Sequence, residues 1–343
     1  MNSKPFRLLV HATWALLAMN CVADQASPPA AAAALPATAA ESRSINDWLM
    51  RMHEASRKRA YIGTFVVSSG GTMSSAKIWH VCEGNQQVER VDTLTGAPRS
   101  IFRHNDQVLT FMPDHKVVRS EKRESLGLFP ELLQTSDNRI ADFYKVKQEG
   151  AERVAGVEAD ILLLQPKDTM RFGYRVWTEQ KKGLVVKLQT LDTDGKVLEQ
   201  AAFSELQLDA PVKMDKLIQM MGKVEGYRVE KPVLVKTTAS AEGWLLKTPV
   251  AGFKPVSCYK RPAAVANAPN GEEPLQWVFS DGLASVSIFV EPFDRQRHDK
   301  ASSLSLGATQ TVTRQLDAYW VTVMGEVPVT TLQLFANGLE RKK

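Results

Sequence analysis

Residues 156–209 read GVEADILLLQPKDTMRFGYRVWTEQKKGLVVKLQTLDTDGKVLEQAAFSELQLD. Met170, Phe172, Tyr174 and Val176 alternate with Arg171, Arg175 and Trp177. A period of two is the mark of a half-buried antiparallel strand. Lys181-Lys182-Gly183 turns the chain, and Leu184 to Leu191 alternates again. Asp192-Thr193-Asp194-Gly195 is a tight turn, with glycine where a positive φ is needed. Lys196 to Leu208 is the next strand. The stretch is therefore a meander of hairpins with one apolar and one polar face. Such a sheet must cover its apolar face with a helix, another sheet or a ligand.

The pattern continues upstream. Tyr61 to Ser68, Ser75 to Cys82, Gln87 to Leu94, Ser100 to Arg103, Val108 to Met112 and Lys116 to Ser120 read as strands. Gly70-Gly71, Gly84-Asn85, Asn105-Asp106 and Pro113-Asp114 turn between them. Before them, Ser44-Ile45-Asn46-Asp47 has the form of a capping box. Ile45, Trp48, Leu49 and Met52 then repeat at helical spacing, predicting a helix from Ile45 to about Ser56. Residues 121–150 interrupt the meander. Phe129 to Leu133 and Ile140 to Tyr144 read as short helices. The fold class is α+β, with one large curved antiparallel sheet whose concave face the helices cover.

Downstream, Pro211 to Gly226 is partly helical and connective, and Tyr227 opens another unit. Trp244 to Tyr259, Leu275 to Phe279, Ala284 to Val290, Thr309 to Arg314 and Ala318 to Met324 read as strands. Pro328 opens a last helix, with Gly338 past its end. The expected organisation is a first domain over 44–218, a linker over 219–231 and a smaller α+β domain over 232–343.

The N-terminus reads as an export signal over residues 1–23. Lys4 and Arg7 precede the apolar Leu8 to Ala18, and Cys21-Val22-Ala23 offers a cleavage site before Asp24. Ala18-Met19-Asn20 is a poor lipobox, which argues against acylation of Cys21. An uncleaved anchor stays open. Residues 24–43 are an Ala/Pro-rich linker. Loss of Lys4 and Arg7 with the signal lowers the formal charge of the 343-residue chain from +5 to +3, too mild to imply nucleic acid. In an exported chain Cys82 and Cys258 can pair, though they fall in different domains. Two buried thiols is the alternative.

No residues converge on catalysis. His53, His80, His104, His115 and His298 make no metal spacing, and no GxSxG or phosphate loop is present. Ser74-Ser75-Ala76-Lys77 matches S-x-x-K but leads into a strand, where the two side chains do not meet. No cofactor, metal or catalytic residue is expected. The sequence offers instead apolar surface on a curved sheet. Phe65, Phe111, Phe172, Tyr174 and Leu188 are the candidates to line a cavity for an acyl chain. The alternative is plain core. Trp177, on the face opposite Phe172 and Tyr174, is expected to be structural. Arg314, Tyr319 and Trp320 are of types favoured at interfaces and are the candidate partner-binding residues.

Taken in order, YIGTFVV, VAGVEADILLLQPKD, FGYRVWTE, GLVVKLQTLDTDGKVLE, FSELQL, VFSDGLASVSIFVE and QTVTRQLDAYWVTVMGEVP resemble the RseB/MucB family of sigma-E regulatory proteins across essentially the whole mature chain. The resemblance implies a first domain similar to the lipoprotein carriers LolA and LolB, an unclosed β-barrel around helices. It implies a periplasmic, non-enzymatic regulator that binds the periplasmic part of a membrane-bound anti-sigma factor, RseA or MucA. That binding would shield the partner from site-1 proteolysis until lipid, lipopolysaccharide or mislocalised lipoprotein releases it. Homo-oligomerisation is left open. The competing readings are a lipoprotein carrier, which has no use for residues 232–343, and a hydrolase, which lacks a convergent acid, base and nucleophile.

Overall fold

Ser44 caps the first helix reciprocally. Its Oγ accepts from the Asp47 amide at 3.2 Å, and Asp47 Oδ2 accepts from the Ser44 amide at 3.1 Å. The helix α1 (Ile45–Lys58) buries Ile45, Trp48, Leu49 and Met52 along one stripe and ends on Arg57 and Lys58. The computed structural model describes residues 43–123, 129, 139–260, 273–298 and 300–342. The expected signal over 1–23, all but the last residue of the linker expected over 24–43, and most of the helix expected over 129–133 lie outside them.

Six strands follow: β1 (Tyr61–Ser69), β2 (Thr72–Glu83), β3 (Gln86–Thr93), β4 (Ser100–His104), β5 (Gln107–Met112) and β6 (Val117–Lys122). After α2 (Ile140–Phe143) come β7 (Tyr144–Val154), β8 (Val157–Pro166), β9 (Gly173–Glu179), β10 (Val185–Leu191) and β11 (Val197–Leu208). Then α3 (Met214–Met221) and β12 (Arg228–Glu230) close this half of the chain. The twelve strands form one open sheet in the order β12-β6-β5-β4-β3-β2-β1-β11-β10-β9-β8-β7. The two meanders join through β1 and β11, where Tyr61 stands opposite Leu208. Bulges at Thr64/Phe65, Val185/Lys187, Thr190/Leu191 and Gln148/Gly150 bend and twist the strands.

Both faces are covered. Ile78 and Val91 face α1, with Phe65, Leu162, Val176 and Phe203 in the same core. Val81 and Val88, offset by an odd number of residues, pack under Met214 and Leu217 of α3. The expected polar face of β9 is only partly solvated, Arg175 keeping 32% of its side chain exposed. Arg171 is wholly buried, and Tyr174, Val176, Trp177, Thr178 and Glu179 are all buried.

Further along come β13 (Val235–Lys236), β14 (Trp244–Leu246), β15 (Lys254–Lys260), β16 (Leu275–Ser280), β17 (Ser285–Pro292), β18 (Ser302–Leu306), β19 (Thr309–Leu316) and β20 (Tyr319–Gly325). The helix α4 (Val329–Gly338) and β21 (Leu339–Arg341) finish the described chain. The second sheet runs β13-β15-β16-β17-β20-β19-β18, and β14 pairs with β21 as a separate ribbon. Val286, Ile288, Val321, Val323, Leu332 and Phe335 make its core with α4.

The structure corrects five expectations about elements. Residues 144–150, expected within the interruption, are the first part of a strand that runs to Val154. As the outermost strand β7 exposes most of its length, so its sequence carries no apolar alternation. The all-exposed edge strand β18 escaped notice for the same reason. Residues 244–259 are two strands in different sheets, divided at 247–253. Arg228–Glu230 runs parallel to β6, and Tyr227 packs edge-on against Phe111 at 5.4 Å, so Tyr227 belongs to the first sheet. Gly338 lies inside α4 rather than beyond it, and Pro328 is its N-cap.

Candidate functional site

The segment between β8 and β9 carries the most heavily bonded side chain at the junction of the two sheets. Arg171 Nε donates to Asp281 Oδ2 at 2.6 Å, its Nη2 to the Ala251 carbonyl at 2.6 Å, and its Nη1 to Asp168. Both Arg171 and Asp281 have no exposed side-chain surface. The guanidinium carbon sits 4.4 Å from the Phe143 ring centre and 4.9 Å from that of Phe253. Asp281 occupies the turn between β16 and β17. Its Oδ1 accepts from the Leu283 and Ala284 amides at 2.9 and 2.8 Å. Tyr144 adds a hydroxyl to Oδ2 at 3.4 Å. Thr331 Oγ1, in the first turn of α4, donates to the Met170 carbonyl at 2.9 Å. Burial pushes the phenols of Tyr144 and Tyr174 well above the ordinary tyrosine range, so both stay neutral. Sequence reading missed this cluster, because Arg171 sits in an alternating run and reads as a solvated face.

Within the second sheet's domain an apolar cleft of about 570 Å3 opens beside β15, lined by Trp244, Leu246, Val256, Cys258 and Trp277 with Lys236 and Lys342 at its rim. Val256 is 62% exposed, which leaves apolar surface in water here. The three candidate partner residues separate. Tyr319 packs edge-on to Trp244 at 5.1 Å, beneath Arg341 at 4.4 Å, beside an opening of about 350 Å3. Trp320, next along β20, points to the opposite face, where His298 stacks on it at 5.0 Å and 4°. Arg314 and Trp320 do share an opening of about 520 Å3, with Lys300 and Gln315. Arg314 also reaches Asn337 Oδ1 of α4 at 3.2 Å.

Of the five acyl-chain candidates, Phe65, Tyr174 and Leu188 share the core under α1. Phe65 is packed among Phe129 and Phe203 at 5.5 and 6.2 Å between ring centres. Phe172 is buried just ahead of β9. Phe111 lies on the other face, in a separate small core with Phe102, Leu109 and Met221. The structure thus brings three of the five together and sets Phe111 apart. None of the five lines the apolar cleft of the second domain.

Other charges are buried without serving as a site. Arg103 Nε pairs with Glu89 Oε2 at 2.7 Å, and Arg59 Nη1 with Glu179 Oε2 at 2.6 Å. Ser74 and Lys77 lie within β2, three residues apart and on opposite faces. Among the described residues no group of three or more histidine, cysteine or acidic side chains is placed to hold a metal. Cys82 and Cys258 are free thiols, not a bridge. Burial pushes the Cys258 thiol up to about 11.

Two family profiles match this chain in tandem, the MucB/RseB N-terminal domain over residues 44–221 and the MucB/RseB C-terminal domain over 238–340. The chain belongs to the MucB/RseB family. Its relatives include the sigma factor AlgU regulatory protein MucB of Pseudomonas aeruginosa, 30% identical over 309 residues, covering 88% of this chain and 92% of that one. The sigma-E factor regulatory protein RseB of Escherichia coli K12 is 23% identical over 326 residues, covering 94% and 96%. Among solved structures, MucB in complex with MucA(peri) is 26% identical with a TM-score of 0.66, covering 87% of this chain and 98% of that one. A MucA/MucB complex of Pseudomonas aeruginosa gives 26% and 0.67, covering 87% and 99%. The likeness to MucB and RseB spans both sheets, so the Arg171–Asp281 junction lies inside the matched region.

Proposed function

We propose that this protein is a periplasmic regulator that binds the periplasmic part of a membrane-bound anti-sigma factor and shields it from regulated proteolysis. The observation that carries this reading is the tandem match of both domains in one chain, at near full length, to proteins named as sigma-factor regulators. A MucB is solved with MucA(peri), which supports a MucA-like partner here. A lipoprotein carrier would need only a sheet like the first, and leaves residues 232–343 unexplained. Residues 1–23 act in this reading as the export signal. The partner surface in this reading includes Arg314 and Trp320 around their shared opening, with Tyr319 on the opposite face of the sheet.

The releasing signal in this reading is an amphiphile, a lipid, lipopolysaccharide or lipoprotein acyl chain. Its support is the apolar core between α1 and an open sheet, which brings Phe65, Tyr174 and Leu188 together, with Phe172 buried just ahead of β9. A ligand releases the partner only if it prefers the arrangement that binds the partner less well. Ligand and partner affinities are then reciprocally coupled, by about 1–3 kcal/mol.

The test is a titration of residues 24–343 with the periplasmic segment of the anti-sigma factor encoded by the same genome, with and without an added acyl-chain amphiphile. Micromolar or tighter binding, together with slower cleavage of that segment by its site-1 protease, is the expected result. Absence of binding overturns the reading. If amphiphile weakens partner affinity to a plateau, the two sites are coupled; weakening without limit means direct competition. An amphiphile that neither binds nor changes partner affinity removes the sensing half alone.

A further inference from the structure

The Arg171 guanidinium is tied to three segments at once. One is its own turn, through Asp168, and two belong to the second domain, Asp281 at the β16–β17 turn and the Ala251 carbonyl. Phe143 of the first domain and Phe253 of the second stand against it. An apolar junction can slide, because dispersion contacts have no preferred direction. A buried guanidinium cannot, because any rotation of one domain on the other breaks two of its three sets of bonds and strands a charge out of water. The two hydrophobic cores are distinct clusters that touch through Leu283 on the first and Met170 on the second. Residues 43–343 nonetheless form one compact unit.

The loop at 251–252 is shaped to this side chain. Gly252 has φ +83°, and a Cβ there would overlap Arg171 Nη2 and come within 2.8 Å of the Phe143 ring. Nothing larger than glycine fits while Arg171 holds its place.

We infer that Arg171 and Asp281 are the positioning pair that fixes the relative placement of the two domains, and that this placement is the one that binds the partner. The second clause rests on the function proposed above. Arg171 itself touches no partner in this account. It acts by holding the surface around Arg314, Tyr319 and Trp320 in one orientation to the first sheet. Polar groups buried at a packing surface specify register even where they add little stability.

The experiment compares four full chains: the unaltered protein, Arg171→Met, Gly252→Ala and the double variant Arg171→Met with Asp281→Leu. Each is measured by thermal unfolding, small-angle X-ray scattering and affinity for the anti-sigma periplasmic segment. Arg171→Met and Gly252→Ala should broaden the distance distribution and weaken partner binding about tenfold or more. The double variant removes the unpaired Asp281 charge that Arg171→Met leaves buried, so it should regain part of the melting temperature lost in Arg171→Met, though the Leu283 and Ala284 amides and the Tyr144 hydroxyl lose their acceptor. It should regain neither the scattering profile nor the affinity, and this separates positioning from mere stabilisation. If the double variant recovers all three, the pair is only structural and the inference is wrong. Unchanged scattering and binding in Gly252→Ala overturn it as well, even should Arg171→Met fail to fold. If the unaltered protein does not bind the segment, the proposed function and the second clause fall together. The scattering arm then still judges the first clause.

Discussion

Arg59 Nη1 lies 2.6 Å from Glu179 Oε2, and both side chains are buried where the end of α1 meets the end of β9. The same guanidinium also bonds Asp209 through Nε and Nη2, each at 3.2 Å, just past the end of β11. The Arg59 carbonyl accepts from His80 Nδ1 at 2.7 Å. One residue, the C-cap of the helix, thus ties α1 to three strands of the sheet it covers.

Burial alone would raise the Glu179 carboxyl, but the amides of Lys182 and Lys181 and the Arg59 guanidinium outweigh it and hold it below the ordinary value of 4.5. A carboxylate depressed in the folded state adds stability above its unfolded pKa, and that stability is lost as pH falls through the folded value. Urea midpoints should therefore decline below pH 4.5, and less steeply in Glu179→Gln. At pH 7, Glu179→Gln should lower stability by about 1.5–3 kcal/mol, the cost of a charged hydrogen bond, since Arg59 keeps its two bonds to Asp209. A variant with the same midpoint and the same acid slope would show that the pair contributes nothing.

His80 has no exposed surface and stacks on Tyr61 at 5.0 Å. Its Nε2 has no hydrogen-bond partner among the described residues and stands 3.9 Å from Glu89 Oε1. Desolvation depresses its pKa below 6.5, with Arg103 and Arg57 adding to that; Glu89 and the bond to the Arg59 carbonyl oppose it. The ring is neutral when folded and takes a proton when unfolded. Its contribution to stability is full above pH 6.5 and lost as pH falls below it. In NMR titration the His80 ring protons should still report neutral imidazole at pH 6.5. A midpoint at or above 6.5 would contradict the burial argument.

Trp177 is 4% exposed. Its indole Nε1 donates to Glu152 Oε2 at 2.6 Å, and Lys187 Nζ lies 4.0 Å from its ring centre. Trp177→Ala should destabilise the fold by about 3–5 kcal/mol. Partner affinity should stay unaltered in the fraction that remains folded. An unchanged melting temperature would move this ring from the core to the binding surface.

We place the domain boundary beyond Glu230. The stretch after α3 is held by β12 against β6, whereas residues 231–236 are exposed. Brief trypsin treatment should cut after Lys236 and leave two resistant fragments, since Pro232 protects the bond after Lys231. Mass spectrometry of the fragments checks this, and first cuts within 214–227 would put the boundary earlier.

The hairpins of 156–209 and the capping box at Ser44 were legible because each is a local matter. Strand alternation, a turn glycine such as Gly195 with φ +82°, and a cap four residues long need no distant partner to be read. Membership of the family was legible from the order of those same strands. What the chain by itself left unwritten concerns residues whose surroundings come from far along it. Edge position hid β7 and β18, since a strand covered on neither side has no reason to alternate. Phe65 and Phe111 looked alike in sequence, yet the register of β1 through β5 sets them on opposite faces under different helices. Arg171 and Glu179 read as solvated polar positions. Only the tertiary structure made them core, because their partners Asp281 and Arg59 lie 110 and 120 residues away. Alternation records how often a side is turned inward; it carries no information about which opposite charge waits there.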